Sequence, residues 1–106
     1  MSSKQVNSLV GMMLFTTSVV WAQDPALVAK GRQVYAEKQC SRCHMIGDEG
    51  AKVGPNLTRV GFTRDAEWLK RFLKDPKSVN PRSKMMAFEG TEQELGALAA
   101  FLASLY

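Results

Sequence analysis

The stretch Cys40-Ser41-Arg42-Cys43-His44 gathers both cysteines and the single histidine of a 106-residue chain into five consecutive positions. Thiols three residues apart fall on one short helical turn, and an imidazole next to the second is held close beside them. Four chemistries use such a group. A disulfide is open to an exported chain, and Cys40 with Cys43 is the obvious pair. A thioredoxin-like redox pair belongs in a strand-helix-strand pattern, which this sequence lacks, and a zinc site needs further ligands that are missing.

The fourth chemistry is covalent haem, because Cys-x-x-Cys-His is the attachment signature of c-type haem. Each thiol adds to one vinyl group of the porphyrin, and His44 is carried beneath the iron. Haem also answers a problem of size. A chain this short buries only about 60 to 70% of its unfolded surface and commonly needs a metal, a disulfide or a cofactor as extra core. The protein without haem is therefore expected to be poorly folded.

Upstream of the motif, residues 5–23 carry no charge and follow Lys4. An apolar centre from Leu9 to Phe15, resuming at Val19 and followed by Val20-Trp21-Ala22, reads as an export signal at 1–22 cleaved after Ala22. The rival reading is a retained membrane anchor, but a spanning helix needs about 20 apolar residues, and Asn7, Ser8, Thr16, Thr17 and Ser18 dilute this one. Loss of Lys4 lowers the net charge from +4 to +3. What remains, 23–106, reads as one domain without repeats or low-complexity tracts. Its length excludes barrel and doubly wound enzymes.

That domain is expected to be all-α, with three main helices wrapped around one haem. Asp24-Pro25 gives a cap and a first-turn proline to a helix carrying Leu27, Gly31, Val34 and Tyr35 on one face and leading into Cys40. Gly47, Gly50, Gly54, Pro55 and Gly61 predict loop. A second helix is expected from Thr63 to Leu73, stopped by Asp75-Pro76. Residues 80–90 read as loop. The Thr91/Glu94 capping box then opens a last helix carrying Leu95, Leu98, Ala99, Leu102 and Leu105.

If His44 takes one axial position of the iron, the group opposite decides between carrier and catalyst. No second histidine exists. Of the six methionines, three fall in the leader, and Met45 adjoins His44 on the wrong side of the ring. Met85 and Met86, 41 and 42 residues beyond His44, remain as thioether candidates on an irregular, proline-flanked loop.

On these residues the chain resembles the class I monohaem cytochromes c of bacteria over most of 29–105. Gly54-Pro55-Asn56-Leu57 is similar to the family's Gly-Pro-x-Leu, which implies that the Pro55 carbonyl accepts a hydrogen bond from His44 and orients it. Pro81-Arg82-Ser83-Lys84-Met85 resembles the loop that brings the sixth ligand, and the residue aligned with that ligand is Met85. Met86 stands where many relatives carry proline. Gly31 and Tyr35, with Leu98 and Phe101, are similar to the residues where the family's terminal helices cross. The indole N–H of Trp68 has two expected destinations, a haem propionate or water.

The resulting expectation is a periplasmic one-electron carrier and not an enzyme. Its partners would be redox proteins: a dehydrogenase or reductase as donor, a terminal oxidase or reductase as acceptor. Nucleic acid is not expected, since the basic residues form no stripe. Lys30, Lys38, Arg42, Lys52, Arg82 and Lys84 lie near the motif or the methionine loop in sequence, either as a rim for acidic partners or as ordinary solvated surface. Two alternatives stay open: a five-coordinate haem that senses a small ligand or acts on peroxide, and a tethered subunit of a larger respiratory complex.

Overall fold

Asp24 caps the first helix, its carboxylate accepting the Ala26 N–H at 3.1 Å, and Pro25 opens the first turn with a backbone angle already suited to it. This helix, α1, runs over Pro25–Glu37. The computed structural model describes residues 24–106; the export signal expected at 1–22 and its expected cleavage after Ala22 lie outside the described residues. Beyond Lys38, Gln39 adopts a left-handed conformation (φ 57°). This non-glycine residue turns the chain out of α1 and into a single 3-10 turn, Cys40–Arg42.

The glycine-rich stretch that follows is less irregular than its composition suggests. Met45–Ile46 (β1) and Glu49–Gly50 (β2) pair antiparallel, with Met45 opposite Gly50 and Ile46 opposite Glu49. Gly47, at φ 61°, takes the first of the two turn positions, where a side chain would be strained. Two-residue strands leave no alternation to detect, and the fold remains helix-dominated. A one-turn helix, α2 (Val60–Thr63), also falls in this region.

The second long helix, α3, spans Ala66–Lys74. Its cap is Asp65, whose carboxylate accepts the Trp68 N–H at 2.8 Å, and not Thr63, whose hydroxyl donates to the Val60 carbonyl at 3.4 Å. Pro76 ends α3 as expected but immediately opens another short turn, α4 (Pro76–Val79). The last helix, α5, covers Glu92–Ala103 with the complete capping box: Thr91 Oγ1 accepts the Glu94 N–H at 3.0 Å, and Glu94 Oε1 accepts the Thr91 N–H at 2.9 Å.

The core forms where α5 packs against α1 on one side and α3 on the other. Leu95, Leu98, Phe101 and Leu102 of α5 meet Val34 of α1 and Leu69 and Leu73 of α3, all buried. Each such side chain contributes about 1.5 to 3 kcal/mol by leaving water. The α1/α5 crossing is set by Gly31. A Cβ there would collide with the Ala97 carbonyl oxygen and lie 2.5 Å from Phe101 Cβ, so only glycine lets the helices approach this closely. One turn later, Tyr35 packs edge-on against Phe101, ring centroids 5.6 Å apart at 64°.

Candidate functional site

The 3-10 turn sets out the two thiols and the imidazole. The Cys40 carbonyl accepts the N–H groups of both Cys43 (3.2 Å) and His44 (3.1 Å), tightening the turn around the motif. Cys40 is half-buried, Cys43 is exposed, and the two form no disulfide. Burial pushes the Cys40 thiol up from its ordinary pKa; its backbone hydrogen bond and Lys38 pull the other way, and Cys43 adds to the rise. Burial likewise raises the Tyr35 phenol, with Cys40 adding to the effect.

The segment after the hairpin is stitched back onto this turn. Ala51 N–H donates to Ser41, Val53 and Gly54 donate to Cys43, and Leu57 donates to Met45, over 2.6 to 3.1 Å. The register places two things on His44. Pro55 O lies 2.8 Å from Nδ1, so the ring carries its proton on Nδ1 and leaves the Nε2 lone pair unengaged. Gly54 lies flat against the ring, where a Cβ would be 2.7 Å from Cε1 and 3.1 Å from Nδ1. A Cβ on Gly50 would run into the His44 backbone carbonyl oxygen.

Residues 80–91, which carry the methionines, have no regular structure but are tied at several points. Asn80 Oδ1 accepts the Arg82 N–H at 3.1 Å, and the Phe88 N–H donates to the Leu73 carbonyl at 2.8 Å. Ser83 is the buried polar residue of the loop: its hydroxyl accepts the Met85 N–H at 3.2 Å, and its carbonyl accepts the Lys77 ammonium at 2.5 Å. Met85 packs against the core, whereas Met86 is 84% exposed. The loop lies beside the cysteine turn, for Lys38, two residues before Cys40, places its ammonium 5.5 Å from the centroid of the Phe88 ring.

These residues fit a haem. The donor set is two cysteine sulfurs outside any disulfide, an imidazole with one nitrogen committed and the other open among the described residues, and a thioether packed against the core, which is the chemistry that attachment and axial ligation require. Ile46, Leu57, Trp68, Met85 and Phe88 are partly buried against the core, an apolar lining that is only half covered. Trp68 stacks on Phe72 (5.2 Å, 17°) and carries the Arg64 guanidinium 4.0 Å above its ring.

With this geometry in place, comparison with known proteins is direct. The family model described as Cytochrome c matches residues 28–106. Cytochrome c2 of Rhodomicrobium vannielii is 31% identical over 121 residues, covering 92% of both chains. A nitric oxide reductase subunit of Cereibacter sphaeroides is 33% identical over 88% of this chain and 71% of its own. Cytochrome c oxidase subunit 2 of Alkalihalophilus pseudofirmus is 33% identical over 74% of this chain, which spans only 26% of that protein. Among solved structures, the c-type cytochrome SorU from Sinorhizobium meliloti superposes with a TM-score of 0.61 at 28% identity, over 77% of this chain and 93% of SorU.

The fold and site therefore define a class I monohaem c-type cytochrome, the chemistry of a haem-based electron carrier. The chain belongs to the cytochrome c family. Haem c, bound covalently through Cys40 and Cys43, is its cofactor.

Several residues that shape the site take their role from no motif, although Ser83 and Gly54 fall inside segments that resemble the family's. Lys77 and Ser83 hold the methionine loop through contacts across six residues, and Asn80 makes the turn that starts it. Gly50 and Gly54 carry the turn signal of any glycine, and their second role, leaving room for His44, becomes visible only in three dimensions.

Proposed function

We propose that the chain is an exported one-electron carrier of the periplasm in which His44 and Met85 are the axial ligands of the haem. Electrons pass between redox proteins of a respiratory or other redox chain, from a dehydrogenase or reductase to a terminal oxidase or reductase. The observation that carries this reading is the pairing of a His44 ring fixed through Nδ1 with a methionine turned toward the core: Met85 packs inward while Met86 is in solvent.

When bound, haem supplies a one-electron couple between ferric and ferrous iron. The protein's part is position and electrostatics. Pro55 holds the proton on Nδ1 and keeps the imidazole at one orientation, so Nε2 need not move as charge changes. Ser83 holds the Met85 backbone in the same way. Held by the Met85 thioether as well as the His44 imidazole, haem iron would favour the reduced ion, and its potential would be higher than with two nitrogen ligands. With haem in place the apolar lining would be covered from water, which would act in the same direction.

Visible spectra of the haem-loaded protein, oxidised and reduced, test the reading when carbon monoxide is added to the reduced form. Six-coordinate bands indifferent to carbon monoxide are expected. Ready binding would mean an open iron, and a sensing or catalytic role would replace the carrier.

A second reading is favoured by the relatives that are subunits of larger enzymes. In it the domain delivers electrons inside a membrane-bound oxidoreductase, tethered by a retained leader. Membrane fractionation with an intact-mass measurement separates the two: a soluble product lacking residues 1–22 supports the free carrier.

A further inference from the structure

The ammonium of Lys77, an exposed residue, is engaged by a backbone carbonyl. Its Nζ donates to Ser83 O at 2.5 Å, in a partly buried setting, while Ser83 Oγ accepts the Met85 N–H at 3.2 Å. A continuous chain of two hydrogen bonds through one buried residue thus runs from α4 to the backbone of the inward-facing methionine. The lysine is placed for this by α4 itself: buried Pro76 fixes the start of the turn, the Asn80 N–H closes it on the Pro76 carbonyl at 2.8 Å, and the Ser83 N–H donates to the Asn80 carbonyl at 2.9 Å. The loop is held at its far end by Phe88 N–H on Leu73 O. Between Ser83 and Phe88 no further backbone–backbone bond is made among the described residues, and a cavity of about 400 Å³ lined by Lys77, Lys84, Met85 and Met86 lies alongside. The near-side anchorage of Met85 therefore rests on Ser83 and on what fixes Ser83.

We propose that Lys77 is a positioning residue for the methionine ligand, holding the loop closed over the iron through the Ser83 carbonyl. This rests on the reading of Met85 as that ligand. Lys77 is itself no ligand; it acts on the balance between a loop with Met85 in place and one with Met85 withdrawn. A hydrogen bond from a charged donor is among the stronger single contacts available, and removing the donor leaves the Ser83 carbonyl short of a partner. The closed loop is then less favoured, and any external ligand that competes with Met85 gains apparent affinity in proportion to the open fraction.

Imidazole binding to the ferric, haem-loaded protein measures that fraction. Lys77→Met keeps the aliphatic stem and removes the donor, and is expected to bind imidazole roughly tenfold more tightly than the parent, a change of about 1.4 kcal/mol. Lys77→Arg keeps a cationic donor and is expected to restore most of the parent affinity. A Lys77→Met protein that binds imidazole like the parent overturns the proposal, as does a gain that Lys77→Arg leaves unreduced. Met85→Ala, run in parallel, separates this from the ligand reading. Loss of the parent six-coordinate spectrum supports Met85 as ligand; an unchanged spectrum brings down that reading and the anchor with it. Lys77 is exposed and outside the core, and unchanged thermal unfolding of Lys77→Arg gives the folding control.

Discussion

Gly54 occupies the space against the face of the His44 imidazole that a side chain would need, with the nearest ring atom 2.7 Å from where a Cβ would stand. The same residue precedes Pro55, whose carbonyl holds Nδ1 at 2.8 Å. One dipeptide therefore both clears and orients the ring. Gly54→Ala forces the ring or the loop to give way, and overpacking of this kind costs about 1 to 3 kcal/mol. Denaturant unfolding of the haem-loaded protein should show a loss in that range; an unshifted midpoint would mean that the loop yields freely.

The helix crossing is less forgiving. At Gly31 the atoms in the way are backbone, the Ala97 carbonyl, and the methylene of Phe101, neither of which rotates aside. Gly31→Ala should destabilise by about 2 to 3 kcal/mol, despite alanine's better helix propensity. Calorimetry on the two haem-loaded proteins checks this, and a rise in thermal midpoint would show that propensity outweighs the collision.

Tyr35 packs on Phe101 at the same crossing, but its hydroxyl is buried without a partner among the described residues. Burying an unsatisfied hydroxyl costs about 1 to 3 kcal/mol, so Tyr35→Phe should be neutral or stabilising by about 1 kcal/mol at pH 7. The variant also changes the alkaline limb. The phenol's pKa is raised in the folded protein, chiefly by burial, so the folded state holds its proton longer than the unfolded state. That contribution is intact below about pH 10, the ordinary tyrosine value, and is lost as pH rises through the folded pKa. Tyr35→Phe should flatten this decline, which a series of unfolding curves above pH 9 would reveal.

Glu94 gives the opposite sign. Its carboxylate accepts the Thr91 N–H, and that bond, the largest cause, holds its pKa below the usual glutamate range. The ionised cap stabilises α5 above about pH 4.3, and its contribution disappears as pH falls through the folded pKa. Glu94→Gln keeps an acceptor but cannot titrate. Thermal midpoints of parent and variant should converge as pH is lowered from 6 to 3; a constant gap would place the cap's contribution outside its charge.

Where a few adjacent residues carried a rule, the sequence predicted the structure closely. Thr91 and Glu94 placed α5 because a capping box is a local reciprocal contact, and Asp24-Pro25 placed α1 for the same reason. Thr63 and Asp65 are both capping types two residues apart, and the choice between them depends on which start lays Leu69 and Leu73 on the core. The turns at 60–63 and 76–79 are too short to show a helical period. At the site, the Pro55 carbonyl on His44 was implied by family resemblance. The link from Lys77 to Ser83 had no such signal, because a lysine six residues from a serine reads as solvated charge until the chain folds.

The contact of Gly31 with Ala97 and Phe101 also has a kinetic meaning. It joins positions 66 and 70 residues apart, and the cysteine turn, His44, Pro55 and the methionine loop all lie within the span it closes. Helical domains usually fold fast because their contacts are local, but here the loop-closure entropy of most of the domain must be met before the core exists. The two ends of the domain form the neck of a single large loop, and every segment that holds the haem hangs from it. Slowing the meeting of α1 and α5 therefore slows the encirclement of the cofactor, without altering any residue that touches it.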